Sequence, residues 1–375
     1  MRALIFSSIC TGGGLADIGA MQAGLQPAWG IEIDPRVAEI ASHNLKHTVH
    51  AQNVVDTNWS KLDKPDVLWA SPPCPNFSNA KRSGKETALD RAIAQSIVDA
   101  VKTYVPRVFI LENVQGYSKS KSLQFIEGAL YGLGYWCDRQ IWNAADHGVP
   151  QSRKRLILRA VHNGFPAPMP AKQQWIGWHQ AIEDLIPSLP ESEFAPWQLE
   201  RMPDELKTAW YPEEPQTFLT ETKFPNRNAK RIWRSVDERS PTVTSLNPNW
   251  RAFLVSDKGS ESPAITVRHA DEPTFSVVKG NGSGGQKAFL VHPTDQRTMP
   301  IKDESKPSFT LTTNQGGNAI KAWLEHGRVV RMTTQALGRF QTLPDWYEQA
   351  DCGIIGNGVP CKLAKTVVES CGEVQ

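Results

Sequence analysis

Short apolar runs alternate with amphipathic stretches through roughly the first 160 residues of the chain. Ala3–Ile9, Pro27–Ile33, Asp66–Ala70, Val108–Leu111 and Leu156–Ala160 are apolar runs of strand length, the pattern of strands buried on both faces. Between them, Pro35–Leu45, Ala88–Thr103 and Leu123–Leu133 read as helices. This alternation predicts an α/β fold built on an open, mostly parallel sheet. From about 164 to 325 the pattern changes to Pro, Trp, Asn and Thr with little helical periodicity. Three domain segments are therefore expected: 1–163, a smaller β-rich 164–327, and a helical 328–375 that returns to the first.

The middle segment contains a repeat of about 34 residues. Ser240–Thr244 precedes Arg251–Leu254, Glu272–Ser276 precedes Lys287–Leu290, and Lys306–Thr310 precedes Lys321–Leu324. Each unit reads as a strand, an Asn/Gly-rich turn and a second strand. The hairpins could be a plain structural stack. Alternatively, the turns Asn247–Asn249, Asn281–Gly285 and Asn314–Asn318 could project toward a ligand.

Composition changes this picture little. Hydrophobic residues are 40% and charged residues 21%, ordinary for a soluble globular protein. No apolar run approaches the ~20 residues of a membrane span, and the apolar start runs into a glycine turn rather than a cleavage site. Six cysteines without a Cys-x-x-Cys pair suit reduced thiols in a cytoplasmic protein and point away from zinc. A net charge of +2 announces no nucleic acid in bulk, although Lys81–Lys85, Arg153–Arg155 and Arg227–Arg231 are local basic clusters.

The candidate chemistry sits at the ends of the predicted strands. Thr11-Gly12-Gly13-Gly14-Leu15 ends the first, and Glu32 and Asp34 close the second, an arrangement able to hold ribose hydroxyls. Counting Gly-x-Gly-x-x-Gly from Gly12 puts Asp17 at the last position, which suits a nucleoside cofactor better than a dinucleotide. Three prolines around Cys74 in Ser71-Pro72-Pro73-Cys74-Pro75 forbid helix and central strand, and so hold the thiol on a stiff loop as a candidate nucleophile. Glu112 ends the next strand. Arg153 and Arg155 share one face before the last, where one could hold an oxygen acceptor and the other a phosphate.

Taken together these residues resemble the C5-cytosine methyltransferases. The matching segments are Ile9–Gly14, the ribose acid Glu32, Pro72-Pro73-Cys74, Glu112-Asn113-Val114, Gln151–Arg155, Arg339–Asp345 and Gly356–Pro360, all in the family's order. The resemblance implies a Rossmann-like sheet of the S-adenosylmethionine-dependent methyltransferase type, with 164–327 as target-recognition domain. It implies Cys74, Glu112, Arg153 and Arg155 as catalytic, Arg155 holding the cytosine O2 and Arg153 supporting the loop. Ile9, Cys10, Thr11, Gly13, Gly14, Leu15, Glu32, Ile33, Asn53, Val54, Pro73, Asn357 and Val359 would bind S-adenosylmethionine. Double-stranded DNA would meet Ser78, Lys81, Arg82, Lys85, Gln151, Arg227, Lys230, Arg231 and Arg234. A monomer is expected; whether a cognate restriction endonuclease is a partner stays open. The departures are Ile9 for Phe, Thr11 for Gly, Pro75 for Gln, Ala336 for Glu, and Asn53 for an acid, with Asp56 a candidate substitute. None removes a group that does chemistry. The thiolate of Cys74 is expected to be favoured by Arg153 or Arg155.

Overall fold

The computed structural model describes residues 3–77, 85–192, 305–308, 310 and 332–372, together with the strands between Phe218 and Arg331. The chain divides into two compact units. One comprises Met1–Ser188, Ser305–Asn318 and Met332–Gln375, and the other Leu189–Glu304 and Ala319–Arg331. The sequence placed its limits at 163/164 and 327/328; the units part at 188/189 and 331/332, with 305–318 joined to the first.

The first unit is built on seven strands: β1 (Ile5–Ile9), β2 (Gln26–Glu32), β3 (Thr48–Ala51), β4 (Val67–Ala70), β5 (Val108–Asn113), β6 (Tyr135–Asn143) and β7 (Lys154–His162). They lie in the order β3-β2-β1-β4-β5-β7-β6. All neighbours are parallel except at β7, which runs against both β5 and β6. The mostly parallel, Rossmann-like sheet expected from the sequence is therefore present, with one reversed strand.

Side-chain alternation sorts the strands onto two cores. Leu68, Ala70, Phe109, Leu111, Leu156 and Leu158 face the layer of α3 (Ala88–Tyr104) and α4 (Lys121–Gly132). Val67, Trp69, Val108, Ile110, Ile157 and Val161 face the layer of α1 (Leu15–Gln22) and a C-terminal helix, Cys361–Glu369. The remaining helices are α2 (Pro35–Leu45), α5 (Trp178–Ile182), α6 (Thr334–Phe340) and α7 (Cys352–Asn357), so the C-terminal helix is α8. Local chemistry sets their starts. Asp34 accepts from the amides of Arg36 and Val37 with Pro35 in the first turn of α2, and Thr87 and Asp90 form a reciprocal capping box on α3.

The second unit holds two antiparallel sheets. β8 (Phe218–Glu221), β9 (Ile232–Ser235) and β10 (Arg251–Ala252) take the order β10-β8-β9. β11 (Phe289–Val291), β12 (Ile301–Asp303), β13 (Lys321–Trp323) and β14 (Val329–Arg331) take the order β12-β11-β13-β14. The second halves of the three repeats form β10, β11 and β13. The third repeat is not a self-paired hairpin, because its first half lies in the first unit: Ser308 bridges Gln151 in parallel and its amide donates to the Pro150 carbonyl. Residues 240–244, 272–276 and the three Asn/Gly-rich turns lie outside the described residues.

Candidate active site

Strand β4 ends at Ala70, and the Ser71 amide continues the ladder by donating to the Ile9 carbonyl. The prolines then take over. Cys74 sits half-buried on the loop that follows, its carbonyl accepting from the Phe77 amide. Neighbouring elements fix this loop. Asn113 Nδ2 donates to the Pro72 carbonyl at 2.9 Å, and Asn76 Nδ2 donates to Asp90 Oδ2 at 2.9 Å. Gly116 packs so closely that an added Cβ would lie 2.1 Å from the Phe77 carbonyl oxygen. The Asn of the Glu-Asn-Val segment thus has a mechanical task that sequence reasoning left unassigned.

Glu112 is next to Leu111, which pairs with Ala70 across β4 and β5, so Glu112 lies beside Ser71 at the carboxyl edge of the sheet. The reversed β7 brings its first residues to the same edge. Arg155 Nε lies 3.1 Å from Glu112 Oε1. Arg153 is buried, and its Nη2 donates to the carbonyls of Gly356 and Gly358, each at 3.0 Å. Arg153 therefore braces the Gly356–Pro360 loop from within, and a phosphate contact by it does not fit this placement. The four predicted catalytic residues are brought together, with Arg153 behind the other three.

The electrostatics departs from expectation at the thiol. Burial first, and the Glu112 charge second, push the Cys74 thiol above its ordinary value; Arg155 and Arg153 pull it down by less. Burial likewise raises the Glu112 carboxyl, opposed by Arg155, Arg153 and a hydrogen bond from Ser71. The apo site thus holds its proton-bearing groups more protonated than free side chains.

The glycine loop lies between β1 and α1. Gly12 and Gly14 adopt φ of 55° and 76°, the left-handed region where a side chain is strained. Glu32 accepts from the Gly12 amide (2.8 Å) and the Asp34 amide (3.0 Å). These bonds use about half of a carboxylate's acceptor capacity and leave the rest for sugar hydroxyls. Beside it Ile33 is 65% exposed, an apolar surface suited to a flat base. Glu32, Ile33 and the left-handed loop therefore fit a nucleoside. Asn53 turns its Oδ1 onto the Val55 amide, and Asp56 is exposed. Ile9, Leu15, Val54 and Val359 turn their side chains into the core, so only their backbones could meet a ligand. Cys10 has its thiol pushed to about 12 by burial and Glu32. Thr11 is buried against Ser8 at 2.7 Å, the Gly13 carbonyl accepts from the Tyr347 hydroxyl at 2.7 Å, and Pro73 and Asn357 are exposed.

The nucleic-acid residues fare differently. Lys85 is exposed. Gln151 is fully buried, which does not fit direct contact with DNA; neither polar atom of its side chain has a hydrogen-bond partner among the described residues. Ser78, Lys81, Arg82, Arg227, Lys230 and Arg231 lie outside the described residues, and of Arg234 only the backbone, on β9, is described.

Residues that the sequence reading missed complete the site. Ser71, beside Glu112 in the register of β4 and β5, accepts from the Trp69 indole, and Asn113 ties down the proline loop. Asp17 and His47 form a buried pair under the glycine loop, 3.7 Å apart.

A glycine-looped, seven-stranded sheet with one reversed strand is the fold of a methyltransferase. The Entamoeba histolytica methyltransferase EhMeth superposes over 100% of this chain and 99% of its own with a TM-score of 0.55 at 14% identity. The chain belongs to the C-5 cytosine-specific DNA methylase family, whose sequence profile matches residues 4–373. The type II methyltransferase M.AplI of Arthrospira platensis is 30% identical over 376 residues, 98% of this chain and 85% of that protein. M.XorII of Xanthomonas oryzae pv. oryzae is 29% identical over 206 residues, 51% of this chain. That alignment spans 47% of M.XorII, about half its length.

Proposed function

We propose that this chain methylates C5 of cytosine in double-stranded DNA through a transient covalent bond between Cys74 and the ring. The observation that carries the reading is the convergence of Cys74, Glu112 and Arg155 at one sheet edge in a chain of this family. S-adenosylmethionine, held by Glu32, Ile33 and the backbone of the Thr11–Gly14 loop, supplies the methyl group when bound.

Cytosine C5 is a weak nucleophile. Bonding of the Cys74 thiolate to C6 pushes the ring electrons toward C5, which then accepts the methyl group. The C5 proton leaves to a base, the Cys74 sulfur–C6 bond breaks, and the aromatic ring is restored with the thiolate regenerated. Glu112 bears on N3 and the exocyclic amine and offsets charge developing on the ring, a contribution typically worth ~10²–10⁴-fold. Arg155 holds O2 while keeping Glu112 in place. The target atom is inaccessible in a stacked duplex, so the base turns out of the helix at a cost of a few kcal/mol. Lys85 and the basic residues of the second unit meet the phosphates and grooves. The type II relatives suggest a restriction nuclease of the same target sequence as partner.

DNA carrying 5-fluorocytosine has no C5 proton to lose. Incubated with the chain and S-adenosylmethionine, it is expected to give a denaturant-resistant adduct that Cys74→Ser does not form. Equal trapping by Cys74→Ser overturns the nucleophile assignment.

A further inference from the structure

Strand β1 ends at Ile9, and Cys10 then takes φ of 58°, the left-handed region that a residue with a side chain enters only when its surroundings hold it there. The turn folds Thr11 back over the strands it has just left. Its side chain lies over Gly30, the β2 partner of Ser8: a Cβ on Gly30 would meet Thr11 Oγ1 at 2.5 Å and Cγ2 at 3.2 Å. The bare glycine therefore makes the room that Thr11 fills. Behind the loop, two hydroxyls and a carboxyl join in a line. Ser8 Oγ donates its single proton to Asp17 Oδ1 at 2.8 Å, which leaves Thr11 as donor across the 2.7 Å contact between the two hydroxyls. All three residues are buried, where such bonds are strongest. The Thr11 backbone carries the loop itself. Its amide donates to the Ile31 carbonyl at 2.9 Å, its carbonyl accepts from the Gly14 amide at 3.0 Å, and the next amide, Gly12, donates to Glu32.

We propose that Thr11, through the line Thr11–Ser8–Asp17, is a positioning residue for the cofactor: it locks the left-handed turn at Cys10 and so presents the loop amides and Glu32 ready for S-adenosylmethionine. This rests on the cofactor role given to Glu32 and the Thr11–Gly14 loop above. The hydroxyl is spent on Ser8, so it acts through the backbone alone. Thr11 stands where the motif of the family has glycine, so the lock belongs to this chain rather than to the motif. A loop without it must order itself on binding, and that ordering is subtracted from the affinity.

The test is calorimetric binding of S-adenosylmethionine to the full chain without DNA, so that no turnover occurs. Thr11→Val keeps the shape but has no hydroxyl, and is expected to raise Kd about tenfold, the size of one lost hydrogen bond. Ser8→Ala removes the acceptor and should raise it similarly. Thr11→Ser keeps the hydroxyl and should stay within about twofold of the parent. In methyl transfer to DNA, the loss in Thr11→Val should fall on the KM for S-adenosylmethionine and not on the KM for DNA. A Kd unmoved in Thr11→Val or Ser8→Ala, or raised equally in Thr11→Ser, overturns the positioning role, as does an equal rise in the KM for DNA. If the parent itself binds no S-adenosylmethionine, the cofactor reading falls and this inference with it. The other results strike Thr11 alone, so the two failures are told apart by the parent.

Discussion

Cys74 lies among charges of both signs, and their balance makes a prediction with a definite direction. The Glu112 charge raises the thiol while Arg155 and Arg153 lower it. Glu112→Gln removes the opposing charge and leaves both cations. Alkylation of Cys74 by iodoacetamide in the apo protein should then run several-fold faster at a fixed, mildly alkaline pH, even as methyl transfer falls. Equal or slower alkylation would show that Glu112 does not control the thiol. Asp17 offers a second test. Burial raises its carboxyl to about 7. Its folded value therefore exceeds the unfolded one, and its contribution to stability is complete below about pH 4 and disappears as pH rises through about 7. His47 is displaced downward by burial and works the other way, losing stability as pH falls below its ordinary value. Asp17→Asn keeps an acceptor for the Ser8 hydroxyl, which bonds Asp17 Oδ1 at 2.8 Å. The parent's urea midpoint should drop relative to Asp17→Asn between about pH 4 and pH 8. Parallel curves would mean Asp17 is ionised in the fold.

At the scale of elements, the loop after β4 is held by contacts that a single methyl group would break. The Cβ of Gly116→Ala would fall 2.1 Å from the Phe77 backbone oxygen, which cannot swing aside as a side-chain end can. This variant should keep its far-ultraviolet circular dichroism yet form the 5-fluorocytosine adduct at least several-fold more slowly. An unchanged rate would show that the turn after Cys74 tolerates movement. Which elements were legible follows from their burial. α2 was read from the sequence with its observed bounds, and α3 to within a residue, because each has an apolar stripe and a strong N-terminal cap. β1, β2, β4, β5 and β7 were read because interior strands with helices over both faces of the sheet are apolar on both sides. β3 and β6 were missed. Both lie at sheet edges, and β6 carries half-exposed Asp138 and Gln140 and exposed Arg139, which blur its alternation. α1 was missed because it is short, begins directly after a glycine and is apolar nearly all round. The reactive residues stood out as unusual residue types at strand ends. Asn113 did not, since its task comes from the Pro72 carbonyl 41 positions away.

Across the whole molecule, the ends of the chain depend on each other. Val359, Leu363, Ala364, Val367 and Val368 complete the core under β1, β4, β5 and β7, and α8 lies so close to α1 that a Cβ on Gly19 would be 2.4 Å from the Cys361 carbonyl oxygen. At about 1.5–3 kcal/mol for each large apolar side chain, losing this helix removes an amount comparable to the ~5–15 kcal/mol that holds a typical domain together. Residues 1–188 alone should therefore show no cooperative thermal transition, whereas the full chain should. A sharp transition in the fragment would refute this dependence. Arg153 adds to the penalty, because its carbonyl acceptors at Gly356 and Gly358 leave with the deleted segment.

The excursion of the chain into the first unit at Ser305–Asn318 constrains how such proteins can be shuffled. Swapping 189–331 in one piece would import a stranger's partner for Gln151 and Ser152, since Ser308 and Thr310 bond that loop directly. A chimera that respects the architecture needs two separate inserts, 189–304 and 319–331, with the native peptide kept between them. Lineages that trade this region should therefore carry paired breakpoints rather than a single cassette.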